Sequence, residues 1–114
     1  MHHYRVIFHL NEREKAQMVL SNIENLLNDL GENNVEVELL ANAGGLEILT
    51  KNFIIHDQQI SLLASRNVQF RACSNTMRHL GLNPEDLLPV VKIVPAGVSE
   101  LVRKQAEGWA YIKP

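Results

Sequence analysis

Residues 4–31 read YRVIFHLNEREKAQMVLSNIENLLNDLG, and this stretch decides the fold. Its first part, Tyr4–Leu10, is bulky, β-prone and apolar in the middle, which predicts a strand that is covered on both faces. Apolar residues then recur every three or four positions as far as Gly31, which predicts a long amphipathic helix. Asn11, with Glu14 three residues later, has the pattern of a capping box and is predicted to start this helix.

The same strand and helix unit repeats along the rest of the chain. Four further strands are predicted from their apolar and β-branched residues, over 35–40, 68–72, 90–94 and 109–112. Helices are predicted over 58–66 after an N-cap at Asp57, from 74 to a stop at Gly81, and over 97–107, where Val98, Leu101, Val102 and Ala106 share one face. Residues 46–55 (LEILTKNFII) fit a short helix followed by an extended piece. The second strand alternates Val and Glu, which predicts one wetter face or a position nearer the sheet edge.

Strict alternation of strands and helices favours a parallel sheet with helices on both faces, because parallel neighbours are joined by long, right-handed crossovers. We therefore predict a flavodoxin-like three-layer α/β/α sandwich around a five-stranded, mostly parallel sheet. The sequence contains no internal repeat, low-complexity segment or linker, so residues 1–114 are expected to form a single domain.

The overall composition narrows the functional classes. With 11 basic and 13 acidic side chains, the formal charge of -2 gives no positive surface for nucleic acid. The first residues lack the apolar segment of a signal peptide, and no apolar run is long enough to cross a bilayer, so no membrane association is expected. A single cysteine excludes an internal disulfide and fits a reducing compartment, which makes the cytoplasm the expected location.

Sequence motifs for cofactors and metals are missing. The pair Gly44-Gly45 stands alone, without the further glycines of a dinucleotide loop or the Gly-Lys-Ser/Thr of a Walker loop, so no cofactor is predicted. The five histidines include no pair at the spacing of a helical zinc motif, and Cys73 is distant in sequence from most of them. A metal site is therefore not predicted either.

The ends of the predicted strands mark a candidate site. In open α/β sheets, ligands bind beyond the carboxyl ends of the strands. The residues at or just after the strand ends are therefore the candidate binding residues: His9, Asn11, Asn42, Gly44, Cys73, Ser74, Asn75, Pro95 and Gly97. This placement follows from any fold of the kind, so it predicts where a site lies rather than what the site does.

Cys73 lies where the third strand passes into a helix, in the stretch FRACSNTM (70–77). Unpaired N–H groups at the start of that helix can lower the pKa of a thiol, and Arg71, Arg78 or His79 would add to this effect if they point inward. A reactive thiolate at neutral pH would follow. Free cysteine is also among the most frequently buried residue types, so an inert cysteine that only fills space is an equal alternative.

Two stretches, VQFRACSNTM (68–77) and the tail VPAGVSELVRKQAEGWAYIKP (94–114), resemble the DsrE/DsrF-like family, especially a short branch linked by name to intracellular sulfur oxidation. The resemblance extends over essentially the whole chain, including NIENLL in the first helix. It implies a flavodoxin-like fold, homo-oligomers such as trimers or hexamers, and a role in sulfur relay.

In the sulfur-carrying members of that family, a cysteine after the third strand accepts sulfane sulfur as a persulfide and passes it to a partner protein. Cys73 matches that position, so the resemblance implies a sulfurtransferase-like carrier that exchanges sulfur with donor and acceptor proteins. The N–H groups of residues 74–76 would stabilise the anionic sulfur, with Asn75 as a polar neighbour and without a cofactor.

Two other functions stay open at this point. Family members without the cysteine serve as companion subunits, so the presence of Cys73 favours the carrier; a companion subunit with a buried, inert Cys73 is the first alternative. The second is a binding module for a small metabolite or nucleotide at the strand ends near Asn42, Gly44, Pro95 and Gly97. The chain is shorter than the better studied carriers and lacks room for the insertions with which they engage partners.

Overall fold

The computed structural model describes residues 3–114, which contain one five-stranded sheet. The strands are β1 (Tyr4–Leu10), β2 (Val35–Ala41), β3 (Gln69–Cys73), β4 (Val91–Val94) and β5 (Ala110–Ile112). The α-helices are α1 (Ala16–Leu30), α2 (Asp57–Ser65), α3 (Ser74–Leu80) and α4 (Gly97–Ala106), and 3₁₀ turns occupy Arg13–Lys15, Ala43–Leu49 and Pro84–Asp86. The strand order is β4-β3-β2-β1-β5, and every neighbouring pair is parallel. The predicted α/β fold with a parallel sheet is confirmed.

The strand order explains why the two faces of the sheet are covered unequally. The chain steps from β1 to β4 in one direction and then returns across the whole sheet to place β5 beside β1. Because crossovers between parallel strands turn right-handed, a reversal of direction transfers the connecting helix to the opposite face. The helices α1, α2 and α3 therefore lie on one face, and α4 lies on the other.

The two cores differ in size for the same reason. The core beneath α1, α2 and α3 is large and contains the fully buried Leu39 and Phe70. The core beneath α4 has four buried residues, Ile7, Leu40, Leu101 and Trp109. Burial of apolar surface is the main favourable contribution to the packing of a helix. The attachment of α4 to the sheet therefore rests on few contacts.

The start of α1 differs from the prediction. The predicted capping box of Asn11 and Glu14 is wrong, because Glu12 is still extended and a 3₁₀ turn occupies Arg13–Lys15 before the helix begins. Neither the turn nor α1 has a side-chain cap. Asn11 lies too far upstream of Ala16 for its side chain to reach the first free N–H groups of α1.

The segment between β2 and α2 also differs from the prediction. Asp57 is the first residue of α2 rather than its N-cap, because the carbonyl of His56 already accepts a helical hydrogen bond from Ile60. The predicted short helix within 46–55 is part of the longer 3₁₀ turn, and the predicted extended piece is reduced to a single antiparallel bridge at Thr50.

Two predictions about side-chain direction are wrong. The strand β2 is central rather than near an edge, and its Glu38 is fully buried beneath α4. On α4, Val98 and Val102 are 67% and 62% exposed, whereas Glu100 and Leu101 face the sheet. The helix is thus rotated so that a carboxyl group, instead of a valine, meets β2.

Candidate functional site

Cys73 closes β3 and immediately precedes α3. Its extended backbone is that of a helix N-cap, so the first free N–H groups of α3 point back toward its side chain. From this position the N–H groups of Asn75 and Thr76 and the hydroxyl of Thr76 donate toward the sulfur and lower its pKa, although no N–H of α3 makes a standard cap hydrogen bond with it. The junction between β3 and α3 therefore directs several donors toward one thiol.

A second helix start reaches the same sulfur from the neighbouring strand. The N–H of Gly97 donates a hydrogen bond to Sγ of Cys73 over 3.2 Å. Val94 is paired with Cys73, so the short turn through Pro95 carries the first residue of α4 over the thiol. A Cβ at residue 97 would lie only 3.3 Å from the Cβ of Cys73 and 3.5 Å from its sulfur. The close approach of α4 therefore depends on a glycine at this position.

Hydrogen-bond donors lower the pKa of the Cys73 thiol. Burial by itself raises the pKa of Cys73, but the hydrogen bonds from Thr76, Gly97 and Asn75 outweigh it. The pKa of Cys73 therefore lies below its ordinary value. A lowered pKa increases the fraction of thiolate, which is the nucleophilic form of cysteine.

The cationic side chains nearby have other partners. Arg71 donates hydrogen bonds to the carbonyl of Phe70 and to the side chain of Gln69. Arg78 donates to the side chains of Ser74 and Asn75. The thiolate is thus favoured by N–H and O–H donors, and the predicted help from charged groups is not what lowers the pKa of Cys73.

The sulfur is sheltered from solvent. Cys73 is 5% exposed, with Gly97 above it and Leu40 packed against the start of α4. Burial is expected of an inert cysteine, whereas a lowered pKa is expected of a reactive one. Cys73 has both properties: it is buried and its pKa is lowered.

His9, at the end of β1, is held at both ring nitrogens. Its Nδ1 lies 2.7 Å from the hydroxyl of Tyr111, and its Nε2 lies 2.9 Å from Oδ1 of Asn42. One neutral tautomer satisfies both contacts, with Tyr111 donating to Nδ1 and the Nε2–H donating to Asn42. The pairing of β2 with β3 places Asn42 at the same level of the sheet as Cys73.

A cavity of about 430 Å³ lies between the Ala43–Leu49 turn and α3. Its walls are Ala43, Gly44, Asn75, Thr76, His79 and Leu80. The hydroxyl of Thr76 connects this cavity to the thiol, because it accepts a hydrogen bond from the N–H of Ala43 over 3.1 Å and also hydrogen-bonds with Cys73.

The predicted site residues are brought together in two groups. Asn75 and Gly97 meet at Cys73, while His9 and Asn42 bind each other and Gly44 lines the neighbouring cavity. Ser74 begins α3 and Pro95 is exposed in the turn before α4.

The sequence analysis missed two side chains in this region. The N–H of Thr76 was among the predicted donors, but its hydroxyl was not, although a hydroxyl three residues after Cys73 is a usable signal. Tyr111 contacts His9 because β5 pairs with β1, and no local sequence pattern predicts that pairing.

Within residues 3–114, no three side chains of the types that bind metals come close enough together to hold an ion. In the same part of the chain, no helix combines the length and the apolar character needed to cross a membrane.

Comparisons with known proteins agree with this architecture. The model of the DsrE/DsrF-like family matches residues 4–114. The structure of MTH1491, a protein of unknown function from Methanobacterium thermoautotrophicum, is similar with 40% sequence identity and a TM-score of 0.92, over 97% of this chain and 99% of that one. The ychN protein from E. coli is similar in fold, with 15% identity and a TM-score of 0.78 over the full length of both chains. The comparison with curated proteins finds no match.

Proposed function

The chain belongs to the DsrE/DsrF-like family, and from this premise we propose that it is a sulfur-relay protein that carries sulfane sulfur as a persulfide on Cys73. The observation that carries the proposal is the set of donors around the sulfur, from Thr76 and Asn75 on one helix and from Gly97 on another. These donors favour an anionic sulfur over a neutral thiol, and the anion is the form that attacks a sulfur donor.

The transfer needs two exchanges at sulfur. In the first, the thiolate of Cys73 attacks the outer sulfur of a donor persulfide, R–S–SH. A new S–S bond forms at Cys73, the S–S bond of the donor breaks, and the donor leaves as R–S⁻ with the electron pair. In the second, an acceptor thiolate attacks the outer sulfur and releases Cys73 as a thiolate. The oxidation level is conserved, so no cofactor is required.

We assign the cavity beside the thiol to the visiting groups. Gly44, Asn75 and Thr76 line it, and its volume of about 430 Å³ accommodates an outer sulfur together with a small thiol. His9 and Asn42 form the polar part of the strand-end surface, while Ser74 and Pro95 shape the two helix starts. In this proposal they bind the visiting molecule and take no part in the exchange of sulfur.

The shelter of Cys73 favours one alternative function. A thiol that is only 5% exposed also suits a companion subunit whose cysteine is inert. The two functions differ in one measurable quantity, because an inert cysteine reacts slowly with an alkylating reagent at pH 7 and a thiolate reacts fast. A metabolite-binding module would instead show stabilisation by a small molecule in a thermal-shift screen, because binding to the native state raises its stability.

We also infer that the chain works as a homo-oligomer, a trimer or a hexamer, in the cytoplasm and as one domain over 1–114. Exposed apolar side chains support self-association, since Val98 and Val102 on α4 and Ile54 and Ile55 before α2 are all at least 62% exposed. Light scattering that finds a monomer at micromolar concentration contradicts this inference.

Mass spectrometry tests the carrier function directly. After incubation of the reduced chain with a small-molecule persulfide, we expect the mass to rise by one sulfur atom and to return to its starting value after addition of an acceptor thiol. The Cys73→Ser variant should gain nothing. A wild-type chain that stays unmodified, while a cysteine-containing peptide in the same tube is modified, rejects the proposal.

A further inference from the structure

Glu38 is a carboxyl group buried in the sheet face that α4 covers. The residue is 0% exposed, and within residues 3–114 neither of its carboxyl oxygens has a hydrogen-bond donor. Glu100 of α4, which is itself only 9% exposed, lies close enough to Glu38 to raise the pKa of its carboxyl group. A buried carboxylate without a donor is strongly unfavourable, so two carboxyl groups in this position require an explanation.

The charged groups around Glu38 come from two neighbouring elements. From α4, Glu100 and Lys104 face it, and Nζ of Lys104 lies 3.9 Å from Oε1 of Glu38. From β3, Arg71 contributes a weaker positive influence. From β1, the residue paired with Glu38 is the uncharged Ile7. The positive charge nearby suits one carboxylate better than two.

A single shared proton resolves this arrangement. When one carboxyl group is neutral, its O–H donates to the other, and the pair buries one negative charge beside Lys104. Burial, together with the neighbouring carboxyl of Glu100, raises the pKa of Glu38 from 4.5 to about 8. Glu38 therefore holds a proton at neutral pH and loses it as the solution becomes mildly alkaline.

We propose that Glu38 and Glu100 are positioning residues for Cys73: the proton they share holds α4 on the sheet and thereby keeps the N–H of Gly97 on the sulfur. The geometry gives the pair this influence. Gly97 and Glu100 lie one turn apart on the buried side of α4, and in the part of the chain that the structure describes the apolar cluster on this face has only four buried residues and the partly buried Val94.

Loss of the proton reverses the effect. Two adjacent carboxylates in a buried site repel each other, and separation of α4 from β2 is the movement that relieves the repulsion. Gly97 then withdraws from Cys73, which loses one of its donors and also its cover. The inference rests on the proposed function of Cys73, and it adds a pH-dependent control of the thiolate and of access to it.

Three substitutions on β2 separate this role from general packing. Glu38→Gln keeps a neutral group that donates to Glu100 at every pH, and Glu38→Ala removes the donor. Glu36→Gln is the matched control, because Glu36 lies two residues earlier on the same face of the same strand and is only partly buried. The reporter is Trp109, the one tryptophan of the chain, which is 7% exposed in the core beneath α4.

The experiment follows hydrogen exchange in α4 and the emission of Trp109 between pH 6.5 and pH 9. In the wild type, we expect the protection of α4 amides, corrected for the intrinsic exchange rate, to fall about tenfold per pH unit relative to Glu38→Gln as the pH rises from 6.5 to about 8, and then to level off. The emission of Trp109 should shift over the same range. Glu36→Gln should behave as the wild type, Glu38→Gln should keep its protection to pH 9, and Glu38→Ala should lack it already at pH 6.5.

The thiol supplies the second measurement. The pKa of Cys73, from the pH dependence of its alkylation, should rise in Glu38→Ala and return to the wild-type value in Glu38→Gln. Equal protection of α4 in the wild type at both pH values, or equal behaviour of Glu38→Gln and wild type at pH 9, overturns the proposal. If Glu38→Ala fails to fold, the comparison of Glu38→Gln with the wild type at pH 9 is sufficient to test the proposal.

These results are separable from the test of sulfur transfer. If the chain accepts no sulfur but releases α4 as the pH rises, the proposed function is rejected, and the role of Glu38 and Glu100 as a proton-sharing pair that positions Cys73 is supported. If the chain accepts sulfur but the protection of α4 is equal at all pH values, the proposed function is supported and the positioning role is rejected.

Discussion

The N–H of Gly97 donates a hydrogen bond to the sulfur of Cys73 although 24 residues separate the two in the chain. This contact joins the two helix starts that meet at the thiol, α3 from its own strand and α4 from the next. It also makes the pKa of the thiol depend on where α4 lies. The pKa of Cys73 therefore depends in part on a helix that does not contain it.

Replacement of Gly97 by alanine should weaken this contact. The new Cβ would crowd the Cβ of Cys73 at 3.3 Å and force the start of α4 outward. Loss of one hydrogen bond to a charged sulfur corresponds to about 1.5 kcal/mol, so we expect the pKa of Cys73 to rise by about one unit. The pH dependence of the alkylation rate measures it. Gly44→Ala is the control, because a Cβ there meets only ordinary contacts at 3.7 Å.

The hydroxyl of Thr76 gives a second, independent prediction. Thr76→Val keeps the shape and the backbone N–H but removes the O–H that hydrogen-bonds with Cys73. Alkylation at pH 7 should become slower, and transfer of sulfur to Cys73 should slow in proportion. Thr50→Val is a matched control, since the hydroxyl of Thr50 donates to the carbonyl of Glu47, away from the thiol. Equal rates in the two variants would show that the Thr76 hydroxyl has no part in activation.

The stability of the protein should depend on pH through Glu38. Because burial raises its pKa from 4.5 to about 8, the folded chain holds a proton in this range that the unfolded chain releases. This contribution to stability is complete below pH 4.5 and is lost as the pH rises through about 8. Across that range the free energy of unfolding should fall by about 1.4 kcal/mol per pH unit.

Denaturant unfolding at a series of pH values measures this slope. In Glu38→Gln the contribution should vanish, whereas Glu36→Gln should retain it. Parallel curves for the wild type and Glu38→Gln would mean that Glu38 does not bind the additional proton.

Lys104 should set the pH at which α4 is released. Burial is the main cause of the raised pKa of Glu38, and the charge of Lys104 acts in the opposite direction. Lys104→Met should therefore shift the change in Trp109 emission to higher pH. Lys92→Met, on the exposed edge strand β4, should leave the midpoint where it is in the wild type. A midpoint that moves to lower pH in Lys104→Met contradicts the assignment.

Much of the fold could be predicted because its signals are local. The apolar run of Tyr4–Leu10 and the three-to-four spacing that follows it act within a few residues, and Gly31 ends α1 as predicted, with a φ of 87°. The position of Cys73 between a strand and a helix is equally local, which is why the sequence alone predicts the candidate site at this position.

The contacts and the burial of residues on the sheet face beneath α4 could not be predicted in the same way. A Glu in a strand normally indicates solvent, because burial of a carboxyl group is costly, and Glu38 was interpreted accordingly. Its burial depends on Glu100, which approaches only after the chain has crossed the whole sheet. The contacts of Tyr111 with His9 and of Gly97 with Cys73 have the same origin. Each joins residues that are distant in sequence, and no periodicity encodes such pairs.

The return of the chain across the sheet has a consequence for biosynthesis. As a polypeptide leaves the ribosome, its earlier part is free to fold first. The strands β1 to β4 add to the sheet in the order of translation, while α4 and β5 emerge afterwards and must close over a surface already assembled. The nascent chain therefore exposes Cys73 with only the donors of α3, and the sulfur acquires its cover and its last N–H partner in the final stage of maturation.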